Sequence, residues 1–179
     1  NVETNDLFLL NGWENTNFQP KLFIENIFKF LDIKKYDSII EIGCGSGLLS
    51  TYLKNYKYYG LDNSISLVNK HIKLLDNIVL NFNSTESIFK NNYFDYCICN
   101  SMLEYLKNED NLNKTIDQME RITKKGIYIG SIRFKTRTTK QQKHKYNGVF
   151  THFVINKQYF IDRGFTIIEN LFENQERFD

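Results

Sequence analysis

The sequence predicts a doubly wound α/β fold, a mostly parallel sheet with helices on both faces. Three observations predict it. Short apolar runs alternate with segments of helical period, the signature of βαβ units. The first run ends in a glycine-rich turn, and the second ends in an aspartate. In sheets of this kind ligands bind at the carboxyl ends of the strands, so the junctions after the strands carry the functional reading.

The elements follow in order. Pro20 opens a helix whose inner face is Leu22, Ile24, Ile27, Phe28 and Leu31. Residues 38–42, Ser-Ile-Ile-Glu-Ile, form an apolar run that suits a buried parallel strand. Residues 48–55 read as helical, 57–62 as a second strand, 64–75 as a helix and 78–82 as a third strand. Residues 93–99 read as a fourth strand, 103–122 as a long helix and 126–132 as a fifth strand. A basic stretch runs from Arg133 to Lys145. Residues 156–163 are helical in pattern and 165–171 read as a sixth strand.

Composition sets limits. The 179 residues suffice for one compact domain and are too few for two ordinary ones. Hydrophobic residues make up 41%, enough for a packed core. Lys plus Arg number 23 and Asp plus Glu 21, a formal net charge of +2 that gives no global argument for nucleic acid or an anionic membrane. No apolar run approaches a membrane span. The three cysteines, Cys44, Cys97 and Cys99, form no CxxC pair and histidine is scarce, so no metal site is expected. Reduced, buried thiols of a cytoplasmic protein are the expectation.

The junction after the first strand is Glu41-Ile42-Gly43-Cys44-Gly45-Ser46-Gly47-Leu48. Three glycines at alternate positions let the backbone turn sharply and approach a ligand without Cβ clashes. A GKS/T ending is missing, so this is not a phosphate-binding P-loop, and the spacing is GxGxG where dinucleotide folds have GxGxxG. The competing reading is a glycine turn that holds no ligand. After the second strand comes Gly60-Leu61-Asp62-Asn63-Ser64, where the Asp62 carboxylate suits two adjacent ribose hydroxyls. The plainer role is a helix N-cap.

Glu-x-Gly-x-Gly-x-Gly after a first strand resembles motif I of class I S-adenosylmethionine (SAM)-dependent methyltransferases. The resemblance implies that the backbone of Gly43, Cys44, Gly45 and Gly47 cradles the methionine part of SAM and that Glu41 helps hold its ammonium group. Asp62 and Asn63 then stand at the ribose position. Asn83 and Ser84, in Asn81-Phe82-Asn83-Ser84-Thr85, stand where many members have Asp-Ala against the adenine. Residues 91–106 are similar to the family's segment around the fourth strand, with Tyr105 where His is common and Asn100 facing the cofactor. The match runs through residues 38–106 in register. It implies a three-layer methyltransferase-like sandwich with SAM as cofactor, S-adenosylhomocysteine (SAH) as product and no metal.

On this reading residues 1–179 are a single methyltransferase domain, with 1–19 as an N-terminal cap and 133–155 as a substrate-side insertion after the fifth strand. Trp13 is a candidate to close over the cofactor. His152 is the candidate general base, deprotonating an acceptor hydroxyl or amine. Arg133, His144 and Tyr146 are candidates for substrate binding, against the plainer reading of a solvated basic loop. Family members usually end on an antiparallel seventh strand, for which residues 173–179 leave almost no room, so the expectation is a chain cut short or a different sheet edge. Neither Asn-Pro-Pro-Tyr nor a Pro-Cys nucleophile is present, which disfavours methylation of nucleic-acid bases. The expected acceptor is therefore a small molecule, such as a phosphorylated or sugar metabolite, methylated on O or N; nucleic-acid and membrane partners are not expected, and the oligomeric state is open. The alternatives are an RNA or protein methyltransferase, a non-catalytic SAM-fold partner subunit, and a nicotinamide oxidoreductase, the last disfavoured by the glycine spacing.

Overall fold

The computed structural model describes residues 7, 9–11, 18–86, 88–132 and 154–168. Five strands, β1 (Ser38–Ile42), β2 (Lys57–Asp62), β3 (Ile78–Asn81), β4 (Phe94–Asn100) and β5 (Thr123–Gly130), form one sheet in the order β3-β2-β1-β4-β5. Every neighbouring pair is parallel. The chain moves outward from β1 to β3, then returns to β4 on the other side of β1. The strand order therefore reverses between β1 and β4, which is where such sheets leave a crevice for ligands.

Among the described residues, the helices that cover the sheet are α1 (Pro20–Leu31), α2 (Ile65–Leu74), α3 (Glu109–Ile122) and α4 (Lys157–Asp162). All five residues of β1 are buried, as a central strand covered on both faces requires. One face carries a core of Ile39, Tyr58, Tyr96 and Ile98 under Phe23, Ile24 and Ile27 of α1. The other carries Ile40, Ile42, Leu61, Cys97 and Cys99 under Leu112, Ile116 and Met119 of α3 and Phe160 of α4. The alternation of strand residues between these two cores is the period-2 pattern of a pleated strand.

The strands and helices lie close to their expected places, with four differences. Residues 48–55 do not form an α-helix; they fold as turns and one 3-10 turn, Ser50–Tyr52. The Ser50 hydroxyl donates to Gly47 O at 2.9 Å and the Thr51 hydroxyl to Leu48 O at 2.7 Å, bonds that compete with helix propagation in a segment too short to repay nucleation. The stretch 103–122 is two elements, a 3-10 turn Leu103–Tyr105 and then α3, which starts afresh at the Asn108 cap. β5 begins at Thr123, directly after α3, and one extra residue on β5 is absorbed as a register shift between Phe94 and Tyr96. The Lys125 ammonium, on this added segment, pairs with Asp37 and Asp95 at the amino end of the sheet. Residues 165–168, the described part of the expected sixth strand, pair with none of the five described strands.

Among the described residues no helix is long and apolar enough to cross a membrane.

Candidate functional site

The site is built where β1 and β2 end. After Ile42 the chain turns through Gly43, Gly45 and Gly47 with φ of +79°, +53° and +96°, a region that side-chain-bearing residues rarely adopt. The N–H groups of Gly43 and Cys44 both donate to Leu61 O, at 2.7 and 3.2 Å, which hooks the loop over the end of β2. The space where each glycine would carry a Cβ is filled by the chain itself. Met102 lies 2.5 Å from that position at Gly43, and His71 and Leu75 lie 2.6 Å from it at Gly47. At Gly45 the filler is the Asn11 side chain.

Asp62 ties the junctions together. Its Oδ2 accepts the Gly45 N–H at 2.9 Å and its Oδ1 accepts the Ser64 N–H at 2.8 Å. Its carbonyl accepts both the Phe82 N–H and the Asn81 amide, each at 3.0 Å, which brings the end of β3 alongside. Each carboxylate oxygen retains a free lone pair. Asp62 therefore serves as the cap-like anchor of the turn and still has acceptors for a diol. Ser64, the N-cap of α2, completes the turn.

Glu41 is buried on the α1 face, and its Oε2 accepts the Tyr58 hydroxyl at 2.7 Å. Burial pushes its carboxyl up to about 8; the Tyr58 hydrogen bond opposes this and the Asp62 charge adds to it. Cys44 packs with Val68 and Val79, and burial holds its thiol well above the ordinary range, so its backbone is the part suited to a ligand. Cys97 and Cys99 are also free and buried.

Asn63 is exposed beside Asp62. Asn83 accepts the Thr85 N–H on Oδ1 at 3.1 Å, a local turn that leaves its amide N–H groups for recognition. Ser84 meets Thr115 of α3 at 3.0 Å. Asn100 ends β4, and its Oδ1 accepts the Ser131 hydroxyl at 3.0 Å. Continuing the Glu41–Ile98 register by two residues brings Asn100 level with Gly43. Glu41, the three glycines, Asp62, Asn63, Asn83, Ser84 and Asn100 thus line one edge, the carboxyl edge of β1 to β4. Trp13, Arg133, His144, Tyr146 and His152 lie outside the described residues.

Three contributors were not foreseen. Asn11 donates to Ser46 Oγ at 2.7 Å and receives the Ser46 N–H at 3.3 Å, bracing the loop from the N-terminal segment. His71 of α2 lies fully buried beneath the loop. Its Nδ1 contacts Gly45 O at 3.3 Å; a carbonyl only accepts, so Nδ1 carries the proton and Nε2 accepts from Asn77 at 3.2 Å. Burial holds the His71 pKa below its ordinary value, against the Gly45 hydrogen bond and the Asp62 charge. Helical spacing signals this residue, because His71 follows Val68 by three and shares its inward face. Ser101, with φ of +54°, holds a buried hydroxyl with no hydrogen-bond partner among the described residues, at the end of β4.

Among the described residues no three His, Cys, Asp or Glu side chains gather as a metal site.

A family model described as a methyltransferase domain matches residues 40–129, the segment from β1 to β5 that holds this edge. An uncharacterized protein of Methanocaldococcus jannaschii is 30% identical over 156 residues, covering 85% of this chain and 66% of that protein. A provisionally assigned S-adenosyl-L-methionine-dependent methyltransferase of Methanococcus maripaludis superposes with a TM-score of 0.59 at 22% identity, covering 73% of this chain and 64% of that one. A SAM-dependent methyltransferase of Methanosarcina mazei superposes with a TM-score of 0.56 at 21% identity, covering 62% of this chain and 58% of that one. The chain therefore spans less than two thirds of each of these relatives. Matched over residues 40–129, the segment that contains the glycine loop and the Asp62 junction, the chain belongs to the methyltransferase domain family and has the class I SAM-dependent methyltransferase fold.

Proposed function

We propose that this chain binds SAM at the carboxyl edge of β1, β2 and β4 and transfers its methyl group to a small-molecule acceptor. The observation that carries the reading is the clamp between Gly45 and Asp62, which fixes a glycine loop and a diol-binding carboxylate in one rigid corner. The donor set fits the cofactor. Glu41 is a buried acid on which no cationic side chain of the described residues acts, as suits a ligand ammonium group. Ser101 offers an orphaned hydroxyl at the edge. The three buried thiols suit a reducing, cytoplasmic setting.

When bound, SAM supplies a methyl group on a positively charged sulfur, which is a good leaving group. The protein's work is then to hold and align. The backbone of residues 43–47 would hold the methionine half, with Glu41 toward its ammonium group. Asp62 and Asn63 would hold the ribose, and Asn83 and Ser84 the adenine. Asn100, braced by Ser131, would stand between cofactor and acceptor. Alignment of the acceptor with the methyl–sulfur bond, and exclusion of water, are the main contributions asked of the fold. His152 is our choice for the base that takes the acceptor's proton, with Arg133, His144 and Tyr146 on the acceptor and Trp13 as the cover.

Calorimetric titration with SAM, SAH and NAD tests the reading on the wild type and Asp62→Ala. Binding of both SAM-type ligands, weakened at least about tenfold in the variant by loss of a charge-assisted pair, is expected. A folded protein that takes NAD and not SAM would overturn the proposal.

A further inference from the structure

The buried pair of Glu41 and Tyr58 does more in this geometry than complete a binding corner. Glu41 lies in β1 opposite Gly60, and the space left by the absent side chain at Gly60 is taken by Cys44 and Tyr58. A Cβ at Gly60 would lie 2.8 Å from Cys44 Sγ and 3.1 Å from Tyr58 Oη. Carboxyl, phenol and thiol therefore share one closed volume under the glycine loop. Each of them is neutral or negative, and none brings a positive charge.

Among the described residues the surroundings supply no counter-charge. β2 presents Tyr58 and Asp62, the second an acid. The loop presents Cys44 and β4 presents Ile98, while Cys97 and Cys99 on the other face of the sheet carry neutral thiols. α1 turns Phe23, Ile24 and Ile27 inward. From α2 comes His71, which is neutral and hydrogen-bonded to the loop carbonyl. An ionised carboxylate so enclosed, with a second carboxylate near it, has only the Tyr58 hydroxyl to stabilise it, and a lone neutral hydrogen bond does not offset the desolvation of a charge. Oε1 of Glu41 has no hydrogen-bond partner among the described residues.

We propose that Glu41 holds a proton in the ligand-free protein and releases it to solvent when the ammonium group of the cofactor's amino-acid half arrives, so that cofactor binding is coupled to loss of one proton. The inference rests on the cofactor reading above. The step balances: the O–H bond of the carboxylic acid breaks, water takes the proton, and the carboxylate left behind pairs with the incoming cation. Tyr58 is the positioning residue, since its hydroxyl favours the ionised form and sets how readily the proton leaves. With the free carboxyl titrating at about 8, affinity for an ammonium-bearing ligand rises with pH and levels off above that value.

The test is titration calorimetry with SAH at pH 7 in buffers of different ionisation enthalpy, which counts protons directly. Methylthioadenosine, which lacks the amino-acid half, is the control ligand. Wild type is expected to release close to one proton with SAH and none with methylthioadenosine, and its SAH affinity to climb about tenfold per pH unit between pH 6 and 7.5. Glu41→Gln should bind SAH more weakly, without pH dependence and without proton release. Tyr58→Phe keeps the acid and removes its supporting hydroxyl, so the affinity plateau should move to higher pH, a shift that a merely structural hydroxyl would not produce. SAH binding with no buffer-dependent heat, or proton release that persists in Glu41→Gln, overturns the coupling and leaves the cofactor reading standing. A folded wild type that binds neither nucleoside overturns the cofactor reading itself.

Discussion

Gly47 shows how a single residue sets the loop. Its φ of +96° suits glycine, and an added Cβ would lie 2.6 Å from His71 Nε2, within a packed interior that cannot retreat far. Gly47→Ala should cost about 2–4 kcal/mol, from left-handed strain together with overpacking against His71 and Leu75. Denaturant unfolding measures this, and a loss below about 1 kcal/mol would show that the loop accommodates a side chain. Asp62 separates structure from binding. Asp62→Ala abandons the N–H groups of Gly45 and Ser64 and should destabilise by about 2–3 kcal/mol. Asp62→Asn keeps one acceptor oxygen, so it should recover part of the stability while cofactor affinity stays low, because an amide cannot offer a diol two acceptor oxygens. Comparing unfolding midpoints with SAH affinity for the two variants tests that split.

At the scale of elements, the parts legible in the sequence were those whose signals are local. Strands β1 and β2 are short apolar runs ended by a glycine turn and an acid, and both lie where the pattern puts them. The break before α3 is hidden because Leu103 and Leu106 continue the apolar spacing of Leu112, Ile116 and Met119, which disguises a 3-10 turn and a helix as one helix. Its signal was present as Asn108 followed by Glu109 and Asp110, an N-cap with acids in the first turn. Asn108 Oδ1 accepts the Asn111 N–H at 2.9 Å. Asn108→Ala should therefore cost about 1 kcal/mol and leave SAH binding unchanged, since the cap lies on α3 and outside the glycine corner. The supports of the site were illegible for the opposite reason. Asn11 reaches Ser46 across 35 positions and His71 reaches Gly45 across 26, and no spacing rule links residues that meet only once the sheet has formed. Tyr58 meets Glu41 across 17 positions, a contact set by parallel register between β1 and β2.

For the whole molecule, two buried groups beneath one loop give the ligand-free protein an asymmetric pH response. His71 is held neutral, with its pKa below the ordinary value of 6.5. Its contribution is complete above 6.5 and is lost as pH falls toward the lowered value, because the unfolded chain then binds a proton that the fold resists. Glu41 acts in the other direction. Its carboxyl is raised from 4.5 to about 8, so its contribution is complete below 4.5 and is lost as pH rises through 8, where the fold must accept a buried charge. As pH falls below 6.5 the two trends oppose each other, because the His71 contribution shrinks while the Glu41 contribution grows. Above 6.5 only the Glu41 trend continues, and stability should fall by about 1–2 kcal/mol by pH 8. Unfolding midpoints from pH 5 to 8.5 read this profile, and Glu41→Gln, which cannot ionise, should flatten the alkaline limb and leave the His71 rise unopposed below pH 6.5. A decline above pH 6.5 that survives in Glu41→Gln would assign it to another group. Adding SAH should remove the decline in the wild type as well, because an ammonium group beside Glu41 supplies the counter-charge whose lack makes the fold lose stability there.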